Sequence, residues 1–161
     1  MRLCNRTLLA FSALIVLMLV APRASAQRAT GGGATSAPVP QFIIRGLEQL
    51  RGDSAAAAIA TWTSSWKGPT DASKATTLLT SLQQIREMLG LPVGYEVVGT
   101  EAVGLHLRRV YVLLRYDAQP LFAQFVAYSS ADRPSESDWK LATVTWNTTV
   151  ADAWPPSVWS R

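Results

Sequence analysis

Cysteine and histidine are almost missing from this chain, with one of each in 161 residues. The cysteine, Cys4, lies in an N-terminal stretch with the features of a removable signal. The mature chain is therefore expected to carry no thiol, which excludes disulfides, a thiolate nucleophile and cysteine metal ligands. One histidine, His106, and scattered acids do not build a closed zinc site. Charge is sparse as well, at 16% of residues. The longest uncharged apolar run, Leu8–Val20, has thirteen residues, whereas a membrane-spanning helix needs about 20. No G-x-S-x-G, P-loop or G-x-G-x-x-G occurs, and the Gly31–Gly33 run lies away from any strand-to-helix turn. No cofactor and no metal are expected.

The N-terminus has the layout of a secretory signal peptide over residues 1–26. Arg2 and Arg6 precede the apolar run, and Ala24-Ser25-Ala26 offers a cleavage site before Gln27. No apolar signal precedes Cys4, so no lipid anchor is expected there. Removing Arg2, Arg6 and Arg23 leaves 12 basic against 11 acidic residues, so the formal charge falls from +4 to +1. That balance gives no clustered basic face and excludes nucleic acid as a partner. The expected product is an exported chain, periplasmic or extracellular, with no membrane span. Residues 27–40, QRATGGGATSAPVP, read as a flexible leader. The remainder fits one domain, 41–150, with a Trp/Pro-rich tail at 151–161.

Three helical patterns come first. Ile43, Leu47 and Leu50 make one stripe. Arg51-Gly52-Asp53 ends it, with Gly52 expected in the left-handed C-cap conformation and Asp53 as the next N-cap. The same tripeptide spells an integrin-recognition motif, but capping explains it. Ala55, Ile59, Trp62 and Trp66 define the second helix, both tryptophans being expected on the core. Asp71 is expected to cap the third, which places Leu78, Leu82, Ile85 and Leu89 at the same spacing before Gly90 and Pro92.

From Gly94 the apolar period changes to two. Glu96–Val103, Leu105–Tyr116, Leu121–Tyr128 and Trp139–Thr148 read as antiparallel strands, with a polar surface loop at Ser129–Asp138. The fold class is therefore α+β: three N-terminal helices packed on a four-stranded antiparallel sheet. In the central hairpin, pairing Tyr116 with Leu121 and Val112 with Phe125 puts Val110, Val112, Leu114, Tyr116, Leu121, Ala123, Phe125 and Ala127 on the helix-covered face. The other face then holds Arg109, Tyr111, Leu113, Arg115, Phe122, Gln124, Val126 and Tyr128. It is too apolar to face water bare. Its cover is expected to be a second copy in a homodimer, with the chain's own tail as the alternative. Arg109, Tyr111, Gln124 and Tyr128 are the candidate ligand- or partner-binding residues, since Tyr and Arg are enriched at interfaces.

The run from Gly94-Tyr95-Glu96-Val97-Val98 into Val110–Tyr116, then Pro120–Phe125 and Trp139-Lys140-Leu141, resembles the nuclear transport factor 2-like superfamily. The resemblance extends to its small exported bacterial members. It implies a curved sheet wrapped around helices in a cone, often with a pocket between them and a dimer through the sheet. Enzymes of that fold do acid–base work. The bases available here would be His106, at a strand start, or Glu96 and Glu101, whose spacing of five places them on opposite faces. No acid–base pair converges in this reading. Asp132, Glu136 and Asp138 lack the ordered pattern of a calcium loop. Asn147-Thr148-Thr149 matches a glycosylation sequon at a strand end. Three functions remain: an exported non-catalytic binding module for a small apolar ligand or a protein partner, a small isomerase or dehydratase, or a structural subunit of an envelope assembly.

Overall fold

The computed structural model describes residues 37–159. The signal-peptide reading and most of the leader lie outside them. Helix α1 (Gln41–Arg51) buries Ile43, Leu47 and Leu50, as its stripe requires. Helix α2 (Ala55–Trp62) is a turn shorter than expected, and Trp66 lies beyond it. The two tryptophans still serve the core. The Trp62 indole N–H donates to the Ile43 carbonyl at 3.2 Å, and that of Trp66 to the Leu141 carbonyl at 2.7 Å. Gly46 makes the crossing of α1 and α2 possible, because a Cβ at this position would overlap the Trp62 indole.

Three capping expectations need correction, the third being that Gly68, not Asp71, is the N-cap of the third helix. Gly52 has an ordinary φ of −77°, and Asp53 takes the left-handed conformation at φ 64°. Asp is among the few non-glycine residues that tolerate it. The N-cap of α2 is accordingly Ser54, and the Asp53 carboxylate instead forms an ion pair with Arg86 at 2.7 Å. Helix α3 (Pro69–Leu89) begins with Pro69 in the first turn, where its missing N–H costs nothing. Asp71 lies inside that turn and accepts the Lys67 backbone N–H at 2.9 Å. Gly90, at φ 84°, ends α3.

The sheet is a meander in the order β1 (Pro92–Val103), β2 (Leu107–Tyr116), β3 (Leu121–Tyr128) and β4 (Lys140–Asn147), all antiparallel. The hairpin register differs from expectation by two residues: Leu114, not Tyr116, pairs with Leu121, and Val112 pairs with Ala123. A two-residue slip preserves the alternation of faces. All eight residues assigned to the covered face are indeed buried, in one cluster with Ile43, Leu47, Trp62, Leu82 and Ile85. Trp62 meets Phe125 edge to face at 4.9 Å between ring centres. The fold is α+β, with a four-stranded antiparallel sheet sharing its core with helices.

Residues 37–40 belong to the body of the fold. The carbonyl of Ala37 accepts from the Thr100 hydroxyl at 2.5 Å, and that of Pro38 from Arg108 at 2.9 Å. Pro40 is fully buried. The last four residues of the expected leader are thus fastened to the sheet, because Pro40 is apolar surface the core can use.

Candidate functional site

On the outer sheet face, neighbouring strands bring together two of the expected binding residues and Glu101, one of the candidate bases. Arg109 pairs across β1–β2 with Glu101, and Tyr111 follows it on the same face. The Tyr111 hydroxyl donates to Glu101 Oε2 at 3.0 Å, and Arg109 Nη1 lies 3.3 Å from the same oxygen. Burial, reinforced by the neighbouring Glu101 carboxylate, pushes the Tyr111 phenol up to about 12. The carboxylate is consumed by these two donors, which is an arrangement that orders a sheet face.

Tyr111 is 1% exposed, and what buries it is the chain's own tail. Asn147 Oδ1 accepts the Thr149 N–H at 3.0 Å, an Asx turn that leads from β4 into the short helix α4 (Val150–Ala153). Trp154 then stands edge-on to Phe122 at 5.0 Å and to Tyr111 at 6.2 Å, and its indole N–H donates to the Ala123 carbonyl at 3.0 Å. The expectation that a second copy covers this part of the face is corrected here: the tail covers it. Tyr111 is therefore no open binding residue. The far end of the face is less covered. Arg109, Gln124 and Val126 are half-buried, while Tyr128, paired with Leu107, is 45% exposed.

The three candidate bases do not converge. His106 is exposed in the β1–β2 turn rather than at a strand start, and its carbonyl holds the Ser129 N–H at 3.0 Å. Glu96 and Glu101 share a face, contrary to their spacing, because a bulge between Val97 and Gly99 adds one residue to β1. They pair with Leu113 and Arg109, however, and so lie well apart along the strand. Among the described residues no group of three or more His, Cys, Asp or Glu converges.

A concavity of useful size lies elsewhere, between the start of α1, the turn after α2, the 135–137 loop and the start of β4. It has a volume of about 610 Å³, within the range of small-molecule sites. Phe42, Trp62, Trp139 and Leu141 supply its apolar wall, and Gln41, Arg45, Ser64, Ser65, Ser135, Glu136, Ser137 and Lys140 the polar remainder. Its loop wall is fixed by two local devices. A short 3₁₀ turn (Glu136–Asp138) carries a capping box in which Asp138 accepts from the Ser135 N–H at 2.8 Å and from its hydroxyl. That hydroxyl is the main reason the Asp138 carboxyl titrates below its usual range. Glu136 reaches across to accept the Gln41 N–H at 2.5 Å, supplying the N-terminal cap that Pro40 cannot give α1. Arg108 lies over the Trp139 ring at 4.0 Å and is itself held by donating to the Pro38 carbonyl at 2.9 Å.

By sequence, Glu136 and its neighbouring serines belong to a solvated loop, with no cleft expected beside it. A helix without its own N-cap, beginning after Pro40, was the signal that some distant acceptor had to be supplied. No family model, curated protein or solved structure matches this chain.

Proposed function

We propose that this chain is an exported, non-catalytic binding module that holds a small molecule in the cleft between α1, the 135–137 loop and β4. The observation that carries the reading is the cleft itself: about 610 Å³, with aromatic residues below and hydroxyls around. Supporting it, the carboxylates at the cleft and on the outer sheet face are engaged in fixing the structure. Glu101 holds Tyr111 and Arg109, Glu136 caps α1, and Asp138 closes its own loop. A general acid or base must be available to substrate, and these are committed to protein donors. The signal-like N-terminus supports export. The order of helices before a four-stranded meander is compatible with the cone of the nuclear transport factor 2-like superfamily, with three helices against a curved sheet.

Native mass spectrometry of the purified protein tests the reading. A small molecule should co-purify with it, and Ser65→Trp, which fills the cleft, should release that mass without unfolding the chain. A bound mass that survives the substitution would place the ligand elsewhere, and repeated absence of any bound mass would favour the assembly role. A second copy remains a reading for the uncovered end of the outer face, where Tyr128 is 45% and Leu105 71% exposed. Sedimentation at high micromolar concentration decides it, since a monomer there removes it.

A further inference from the structure

We infer that the cleft takes a small amphipathic anion, an apolar body carrying a carboxylate; this rests on the binding-module reading above. The argument is one of charge accounting within the lining. Two cations border the cleft from different elements, Arg45 on α1 and Lys140 at the start of β4. Among the described residues neither side chain makes a hydrogen bond or a salt bridge. The sole anion of the lining, Glu136, is directed onto the Gln41 N–H at the helix N-terminus, where the helix dipole already balances it. Lys140 feels the field of Asp138, but that carboxylate accepts two hydrogen bonds from Ser135. The lining therefore carries two cations without an ion pair, beside an aromatic wall, against one carboxylate that is held on a helix end. A neutral apolar ligand would use the aromatic wall but neither cation. A large polyanion would forgo the apolar wall and exceed the volume.

The geometry also says how such an anion would be held. Its apolar body would lie on Phe42 and Trp139, and its head would meet a cation that is strongest as a partner once water is partly excluded. The serine hydroxyls can donate to the same oxygens.

Paired titrations followed by ¹⁵N NMR test this with the intact mature chain: phenylacetate, cinnamate and octanoate, each beside its primary amide. The carboxylates should shift the Trp139 indole N–H and the Ser65 and Ser137 amides saturably, and should bind at least about tenfold more tightly than the amides. Arg45→Gln and Lys140→Gln should each weaken the acids by about tenfold while leaving the amides unchanged. Rising salt should do the same to the acids alone. Equal affinity for acids and amides at these residues would overturn the anion inference and leave the binding module standing. No shift at the cleft with any probe would overturn both.

Discussion

Replacing Trp154 by alanine tests whether the tail is an integral part of the fold. Trp154 is 5% exposed and touches Tyr111 and Phe122 on the outer face of the sheet. An aromatic side chain buries about 150–250 Å², which at ~25 cal/mol per Å² sets an upper bound of about 4–6 kcal/mol. Measured Trp and Phe to Ala changes in cores cost about 3–5 kcal/mol. The Trp154 seat is near the surface, so water can fill it once vacated, and the cost should fall at the low end, about 3 kcal/mol. With a urea slope of about 1–3 kcal/mol per M, the unfolding midpoint should drop by about 1 M or more. Trp154→Phe, which keeps a ring but loses the N–H bonded to Ala123, should cost about 1 kcal/mol. A second readout separates local from global damage. Desolvation is the largest cause of the raised Tyr111 phenol, so in Trp154→Ala it should titrate closer to 10 in spectra of the folded protein. A midpoint within about 0.3 M of the parent, together with an unchanged Tyr111, would refute the covering role of the tail.

Three further expectations are independent of that one. Gly46→Ala should destabilise the protein by about 1–3 kcal/mol in chemical denaturation, because the Trp62 indole, bonded to Ile43, has nowhere to move; a gain in stability, as helix propensity alone favours, would refute the close crossing. In an alkaline titration of the four tyrosines, one phenolate should appear only near pH 12 and vanish in Tyr111→Phe. Because the folded value lies above the unfolded 10, the stability held by this group is complete below pH 10 and declines as pH rises toward 12; complete ionisation of all four by pH 10.5 in the folded state would contradict this. Glu136→Ala should raise amide exchange at Gln41–Ile44 and cost about 1 kcal/mol, with Glu136→Gln recovering part of it; unchanged exchange in both would show that the cap is idle.

How much of this molecule could be read from its residues depends on the range over which each signal acts. The faces of the central hairpin were legible, because alternation is a property of each strand alone and a slip of two residues does not disturb it. A slip of one would have reversed every assignment. The relation of Glu96 to Glu101 was not legible, because it depends on a bulge at Val97–Gly99 that forms only when β2 is beside β1. The two glycines of the α1 region illustrate the same division. Gly52 had the local signature of a helix stop, yet Asp53 took the left-handed position so that its carboxylate could meet Arg86, 33 residues later. Gly46 carried no local signature at all, and its need is set wholly by Trp62. The candidate site follows the same rule. The residues picked from the hairpin, Arg109 and Tyr111, were correctly placed together, but the tail that seals Tyr111 is over 40 positions away from it in the chain. The cleft is the extreme case, since α1, the turn after α2, the loop and β4 each contribute a few unremarkable polar residues. What makes them a candidate site is that one loop carboxylate is held on a helix end while two cations from distant elements border the same space.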